Sequence, residues 1–313
     1  GLVSGTEAYY SFDVANIHFI CLDSQGTDRS PASPMWTWLT ADAQTTTQDW
    51  VIAFWHHPPY TKGSHDSDDP GDSGGQMEDM REEALPLLEA AGVDLVYTGH
   101  SHSYERSILI NGHYGVSSTF DSTMVVDGGD GRPSGDGPYV KPSGNPGANQ
   151  GTGYTVAGSS GKTGGGPLNH AVMEFSANTL GSVVLDVEDN QLDAVFIGTT
   201  GQVLDQFTVW KGTPGGVEPD PGLGPRLTLA ANPVSARAEF AFSLTEPGPA
   251  RLSILDVRGA EVATVVSGRF TPGTHPATWD TRNRNGQPVA PGVYFAVLET
   301  ATERRTRKLT VTR

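Results

Sequence analysis

The chain has 313 residues and a formal net charge of −16, which is unevenly distributed. Residues 1–225 carry 8 Lys and Arg against 29 Asp and Glu, whereas residues 226–313 carry 12 against 7. The length is sufficient for two domains with separate cores. Because a nucleic-acid backbone has to be neutralised by cationic side chains, we expect no nucleic-acid binding by the acidic part.

The cysteine content excludes a fold held by intrachain disulfides, and the hydropathy pattern argues against a transmembrane helix. Cys21 is the single cysteine, so no disulfide can form within the chain. It lies in an apolar run, and we interpret it as a small core residue. No stretch approaches a membrane-spanning run of about 18 apolar residues, so the sequence predicts no transmembrane helix.

Two strands and a helix are predicted at the beginning of the chain. Residues 9–12 and 17–23 have the composition of adjacent strands. Residues 33–48 predict a helix, with Ser33 as its cap and Pro34 in its first turn. The side chains that would form its buried stripe are Trp36, Leu39 and Ala43.

The next predicted strand leads directly into two histidines. Residues 50–55 are apolar and precede His56 and His57, which are followed by two prolines. The prolines fix the backbone just beyond the histidines and restrict the loop. A polar loop at 60–76 then carries His65 and four aspartates, which we interpret as surface charge, with a calcium-binding loop as the alternative: Asp66, Asp68, Asp69 and Asp72.

A second strand of the same kind ends in another pair of histidines. Residues 78–91 predict a crossover helix that stops at Gly92, and the strand that follows leads to His100 and His102. A right-handed crossover brings the ends of two parallel strands to one edge of a sheet. Imidazole nitrogens clustered there suit Zn, Fe, Mn or Ni better than Ca or Mg.

Together the two histidine motifs resemble those of the calcineurin-like metallophosphoesterases. WHHPPY at 55–60, followed by GVDLVYTGHSHSYERS at 92–107, is most similar to the purple-acid-phosphatase-like branch. The resemblance implies an α/β fold that corresponds to the C-terminal part of a metallophosphoesterase sandwich. It also implies hydrolysis of a phosphate ester at a centre of two divalent or trivalent transition metals, Fe, Zn or Mn.

The resemblance carries roles to individual histidines. His56 and His100 would be ligands of one metal, and His102 a ligand of the other. His65 corresponds to a histidine on the substrate side, with a phosphate contact or general-acid role; the alternative is a solvated loop residue. His57 would support the neighbouring ligand, face the substrate or simply pack.

The family motifs that precede these strands are not found in their expected context. They are an Asp-x-His, a Gly-Asp-x-x-Asp or -Tyr and a Gly-Asn-His-Glu or -Asp, and they include the bridging carboxylate. We therefore expect the chain to be the C-terminal portion of a longer protein, with the N-terminal segment of the same domain as a partner.

Tyr104, Glu105 and Arg106 follow the second histidine pair and are interpreted as an internal support. Glu105 would pair with Arg106 or with another neighbour. His113, in the next hairpin, is interpreted as an ordinary structural residue.

Residues 127–153 are rich in glycine and proline and poor in apolar groups. Such a segment predicts a long surface loop that could act as a lid over the site. Within it, Arg132 and Tyr139 could reach a substrate. Further strands, read as antiparallel, are predicted at 154–156, 171–175, 182–187, 192–197 and 205–210.

Residues 226–313 predict a separate all-β unit. They follow a Pro/Gly-rich linker at 212–225, and the phosphoesterase-like part occupies 1–211. Predicted strands lie at 227–230, 238–243, 250–255, 274–279, 294–299 and 305–311. Their regular spacing indicates an Ig-like β-sandwich. The turn and aromatic motifs resemble FlgD-like or type IX secretion sorting-type domains, which implies export of a bacterial protein and attachment or assembly at the cell surface.

The sequence therefore predicts an exported metal-dependent phosphomonoesterase, incomplete in these 313 residues. One alternative is a phosphodiesterase or nucleotidase. Another is a non-catalytic extracellular surface or filament component that reuses the scaffold. Expected partners are a small phosphate ester and, through 226–313, secretion machinery, the cell surface or further copies of the chain. The basic charge of 226–313 could contact an anionic surface or be an ordinary solvated face.

Overall fold

The computed structural model describes residues 1–133, 135–141, 147–212, 225–230, 232–301 and 303–312. The chain divides into two compact units, residues 1–214 and 215–313. The predicted linker falls almost entirely on residues 213–224, outside the described residues, and the domain limits stay a prediction.

The first unit is built mainly from strands. In chain order they are β1 (Tyr10–Val14), β2 (Ile17–Cys21), β3 (Trp50–Phe54), β4 (Leu95–Thr98), β5 (Tyr104–Ser107), β6 (Leu109–Ile110), β7 (Val125–Asp127), β8 (Tyr139–Lys141), β9 (Gly153–Ala157), β10 (Met173–Ala177), β11 (Gly181–Glu188), β12 (Gln191–Gly198) and β13 (Val203–Lys211). The α-helices are α1 (Pro34–Thr45), α2 (Gln76–Asp79) and α3 (Leu85–Ala90).

A seven-stranded sheet in the order β1-β2-β3-β4-β9-β5-β10 forms the centre of this unit. Strands β2, β3, β4 and β9 run parallel to one another. The prediction of an α/β fold is confirmed. The prediction that the strand at 154–156 is antiparallel to its neighbours is wrong for one of them. Strand β9 is parallel to β4 and antiparallel only to β5.

The central sheet is buried on both faces because alternate side chains of its strands enter two different cores. Val51 and Ala53 pack with the apolar sides of α1 and α3. Trp50 and Ile52 face the opposite way and pack against a second sheet, β11-β12-β13-β8. The first unit is thus a sandwich with helices on one face of the central sheet and a smaller sheet on the other.

The crossover between β3 and β4 departs from the prediction of one regular helix. Helix α2 begins at Gln76, and a π-helical turn at Met80–Ala84 separates it from α3. Gly92 has φ 79°, which confirms it as the residue where the helix ends. At α1, Ser33 precedes the helix as predicted, but its side chain makes no capping hydrogen bond.

The prediction that residues 127–153 are a surface loop or lid is wrong for its described central part. This segment supplies β8, which pairs in parallel with β13 at the edge of the second sheet. Tyr139 and Lys141 of β8 are buried. Three residues suffice for a strand here because tertiary packing, not the local apolar pattern, holds them in place.

The second unit is a β-sandwich, as predicted. Its strands are β14 (Arg226–Leu229), β15 (Ala238–Leu244), β16 (Gly248–Asp256), β17 (Glu261–Phe270), β18 (Gly273–Trp279), β19 (Gly292–Thr300) and β20 (Arg304–Val311). They form the sheets β14-β15-β18 and β17-β16-β19-β20 around one apolar core. Strand β17 was missed in the sequence. Among the described helices, none has the length and apolarity needed to cross a bilayer.

Candidate metal centre

Strands β2, β3 and β4 lie side by side and in parallel, so their carboxyl ends meet at one edge of the central sheet. Open α/β sheets place their sites at this edge. Ser24 follows β2, His56 and His57 follow β3, and His100 follows β4.

Three histidines converge at this edge. The rings of His56, His57 and His100 have centroid separations of 4.4–4.9 Å. Nδ1 of His100 lies 3.1 Å from Nε2 of His56. One nitrogen of each ring lies within 4.8 Å of the others, a spacing that one metal ion could bridge. We call these three residues the histidine triad.

All three members of the triad are donors that suit a transition-metal ion, and two of them, His57 and His100, also have the charge state that ligation needs. Burial, followed by the neighbouring His56, lowers the pKa of His57 to about 4. Burial, followed by His65 and the triad itself, lowers the pKa of His100 to about 4. Both imidazoles are therefore neutral at pH 7, as metal ligation requires. Within the described residues the triad includes no carboxylate, so these donors account for one ion and not for two.

Ser24 fixes His57 and was not recognised in the sequence. The backbone N–H of His57 donates to Ser24 Oγ at 3.0 Å, and Ser24 Oγ lies 2.9 Å from His57 Nδ1. His57 and Ser24 are both buried. The only signal in the sequence is the position of Ser24 just beyond an apolar strand, which many serines share. The predicted catalytic role of His57 stays a prediction.

His65 lies against the triad. Its ring stacks on that of His100 at a centroid distance of 4.0 Å, and its Nδ1 lies 2.8 Å from Asp72 Oδ1. His65, Asp72 and His100 form a second group of possible ligands. The interpretation of Asp72 as mere surface charge is therefore wrong, because its carboxylate contacts a residue of the site.

His102 is not a member of the triad. Its backbone N–H donates to Ser64 Oγ at 2.9 Å, and its side chain is half-buried. It belongs to neither group of possible ligands found among the described residues. Its assignment to a second metal ion stays a prediction.

Glu105 supports the loops that carry the histidines. Its carboxylate accepts hydrogen bonds from Thr61 Oγ1 at 2.5 Å, Ser103 Oγ at 2.7 Å and the backbone N–H of Lys62 at 3.0 Å. It thereby connects the loop after His57 to the turn that contains His100. Of the two pairings left open, the structure shows the one with neighbours other than Arg106.

The side chain of Arg106 lies on the opposite face of β5 and pairs with Asp205. Its guanidinium donates to both oxygens of Asp205, at 2.6 and 3.1 Å. Tyr104 donates its hydroxyl to the same carboxylate at 2.9 Å. Adjacent strand residues face opposite ways, which explains why Glu105 and Arg106 serve different partners.

The expectation that Tyr139 reaches a substrate is wrong. Tyr139 is 1% exposed, and its hydroxyl accepts from Arg106 and donates to the carbonyl of Gly129. Arg132 is also engaged, because it donates to Asp205 at 2.9 Å. Both residues belong to the Asp205 cluster between the two sheets.

Two parts of the chain match models of known protein families. Residues 5–104 match the calcineurin-like phosphoesterase model, and residues 230–303 match the FlgD Ig-like domain model. Purple acid phosphatase 18 of Arabidopsis thaliana is 38% identical over 114 residues, which are 34% of this chain and 24% of that protein. Purple acid phosphatase 22 of the same plant is 40% identical over 107 residues, 33% of this chain and 23% of that protein.

Among solved structures, purple acid phosphatase PPD1 from seeds of yellow lupin (Lupinus luteus) aligns with a TM-score of 0.48 at 20% identity. The alignment covers 65% of this chain and 33% of the lupin chain. This chain spans about a quarter of the length of the curated relatives that it matches. Residues 5–104 are thus similar to the calcineurin-like phosphoesterases, and among the relatives to purple acid phosphatases, whereas residues 230–303 are similar to FlgD Ig-like domains.

Proposed function

We propose that the first unit is part of a metal-dependent hydrolase of phosphate monoesters. The observation that carries the proposal is the convergence of His56, His57 and His100 inside the segment that matches the phosphoesterase family. The purple acid phosphatase family implies a binuclear metal centre. When bound, such metals neutralise charge on a phosphoryl group and acidify a water molecule.

Different histidines of this chain would serve as metal ligands and as the group that transfers a proton. His56 and His100 would hold one ion, with His57 as a third donor or a contact to the substrate. His65 has its Nδ1 engaged by Asp72, so its Nε2 is the nitrogen left to take up a proton and then donate it to a departing alkoxide. Further donors, the carboxylates above all, would come from parts of the family fold that these residues do not match.

The substrate class can be tested by hydrolysis. The protein purified from its source is incubated with Zn²⁺, Fe³⁺ or Mn²⁺ and with p-nitrophenyl phosphate, bis-p-nitrophenyl phosphate or a nucleoside 5′-monophosphate. We expect cleavage of the simple monoester, and a loss of about 10²–10⁴-fold in kcat on His65→Gln, the typical contribution of a general acid. Preferred cleavage of the diester or of the nucleotide would replace the monoesterase proposal with one of those activities.

A second candidate is a non-catalytic extracellular component. The absence of a carboxylate from the triad, within the described residues, favours it. A folded chain that binds metal and cleaves none of the three substrates would support this candidate.

We also propose that the protein is exported and held at a bacterial cell surface through residues 226–313. The FlgD Ig-like domain and the cationic charge of this part support the proposal. Fractionation of the source cells tests it: recovery of the protein in the cytosol alone would contradict it.

A further inference from the structure

Asp72 lies at the centre of a hydrogen-bond chain that joins two histidines of the site. Its Oδ1 is 2.8 Å from His65 Nδ1 and accepts the hydroxyl of Ser73, also at 2.8 Å. Ser73 Oγ in turn lies 2.7 Å from His100 Nε2. Asp72 Oδ2 accepts the backbone N–H of Asp66 at 2.8 Å, which orients the carboxylate.

The direction of each hydrogen bond follows from the number of protons available. An ionised carboxylate only accepts, so His65 must donate from Nδ1 and Ser73 must donate its single hydroxyl proton to Asp72. Ser73 Oγ then has no proton left to donate to His100, so it accepts a hydrogen bond from His100 Nε2–H. The remaining lone pair of His100 is on Nδ1, the atom that lies 3.1 Å from His56 Nε2.

Backbone conformations that side chains rarely adopt bring these groups together. Ser73 has φ 53° and is followed by Gly74 at 65° and Gly75 at 85°. His100 has φ 60°. Non-glycine residues in this region are uncommon, and their occurrence at a site points to a geometric requirement. Here the two strained residues, Ser73 and His100, are hydrogen-bonded to each other.

We propose that Asp72 is a positioning residue that fixes the tautomers of His65 directly and of His100 through Ser73. His100 then presents Nδ1 to a metal ion shared with His56, and His65 presents Nε2 for proton transfer. The consequence for metal binding rests on the proposed metal-dependent function. The tautomers themselves are a property of the metal-free chain. Carboxylates and hydroxyls that orient ligating histidines contribute about 10–100-fold in metal affinity.

A direct role of Asp72 as a ligand is the competing possibility, because His65, Asp72 and His100 could themselves hold an ion. A neutral imidazole has a single lone pair, so His100 can serve this group or the triad but not both. The hydrogen bonds place the His100 proton on the side of Asp72. This arrangement favours the triad as the place where His100 binds.

The tautomers can be read from imidazole ¹⁵N shifts in the metal-free 313-residue chain, with each signal assigned by His→Gln substitution. We expect a protonated Nε2 in His100 and a protonated Nδ1 in His65. Asp72→Asn and Ser73→Ala should both shift the His100 population towards the other tautomer. Asp69→Asn is the matched control, because it removes the same charge from an exposed residue of the same loop.

Zinc titration by calorimetry gives the second readout. Asp72→Asn, Ser73→Ala and Ser73→Gly should each weaken Zn²⁺ binding by about 10–100-fold, while Asp69→Asn leaves it within about twofold. Ser73→Gly removes the hydroxyl and also relieves the left-handed backbone, so added backbone strain at position 73 does not explain its weakened binding.

Three results would overturn the inference. They are a wild-type His100 protonated at Nδ1, zinc affinities and tautomers unchanged by Asp72→Asn and Ser73→Ala, or a second zinc equivalent that disappears with Asp72. A wild-type chain that shows the expected tautomers but binds no zinc would instead overturn the proposed function and support the inference.

Discussion

Glu105 is a buried carboxylate that supports the site from behind, without being accessible to a ligand. It is 0% exposed and accepts from Thr61, Ser103 and the backbone of Lys62. Each of these donors belongs to a segment that carries a histidine of the site. Its contribution is therefore expected in the stability of the loops more than in the chemistry.

Glu105→Gln replaces one acceptor oxygen with an NH₂ group that faces donors. A buried polar group left without a suitable partner costs about 1–3 kcal/mol, and we expect this loss in the free energy of unfolding. Urea denaturation measures it. Glu174→Gln, at an exposed position of the same unit, should change stability by less than about 0.5 kcal/mol. Equal effects of the two substitutions would contradict the supporting role of Glu105.

His113 and His170 form a second pair of buried histidines, and both rings contact that of Tyr60. Burial, with a smaller effect of Arg81, lowers the pKa of His113 to about 4. Burial lowers that of His170 to about 4 as well, against the opposing effect of Asp68. Neither ring nitrogen of His113 has a hydrogen-bond partner in the described parts of the chain.

These pKa values predict acid lability. The unfolded chain protonates both imidazoles near pH 6.5, whereas the folded chain holds them neutral down to about pH 4. The unfolded state therefore binds more protons in this window, and stability should fall as the pH is lowered from 6.5 to 4.

Denaturation midpoints across this range test the effect. His113→Phe removes one titrating group and keeps a ring against Tyr60, so it should flatten the pH dependence. A variant whose stability falls with pH as steeply as the wild type would show that His113 is not responsible.

The sequence predicted the histidines of the site better than the residues that hold them. His56, His57, His65 and His100 were all selected, and the structure brings them together. Ser24, Asp72 and Ser73 were missed or misread because their contacts arise only through tertiary structure. A serine after a strand or an aspartate in a polar loop has no pattern of its own.

At the scale of elements, an ion pair joins the two sheets of the first unit. Arg106 of β5 binds Asp205 of β13, and both side chains are buried. Burial opposes the charge on Arg106, but Asp205 outweighs it and raises the Arg106 pKa. Arg132, which is about one-third exposed, contacts the same carboxylate from the side.

Asp205→Ala should leave the buried guanidinium of Arg106 without its counter-charge. Breaking a buried pair in this way costs about 3–5 kcal/mol of unfolding free energy. Arg132→Gln removes only the exposed partner of Asp205 and should cost less than about 1 kcal/mol. Guanidinium denaturation compares the two, and similar losses would contradict the assignment of the cross-sheet link to Arg106.

Elements with a strong local pattern were predicted well, and those that depend on their neighbours were not. The apolar strands before the histidines and helix α1 are confirmed by the structure. Strand β8 lies in a Gly/Pro-rich segment and forms only because β13 offers it an edge. The π-helical turn at Met80–Ala84 lies inside an uninterrupted helical pattern, which gives no sign of it.

For the whole molecule, the net negative charge opposes the binding of the anionic ligand for which the site is proposed. Residues 1–225 have a net charge of −21, which disfavours an anionic phosphate ester at long range. The neutral imidazoles of His57 and His100 add no positive charge of their own. Under the proposed function, binding of a phosphate ester would therefore depend on a metal ion at the triad, and the presence of that ion is the claim to test.

Elemental mass spectrometry on the purified 313-residue chain tests that claim most directly. The wild type should contain about one Zn, Fe or Mn ion per chain, since the triad supplies donors for one ion. His100→Ala should lose it, whereas His275→Ala, which removes a histidine of the second unit, should retain it. A folded wild-type chain without metal, or equal metal content in all three proteins, would contradict the assignment of a metal centre to His56, His57 and His100.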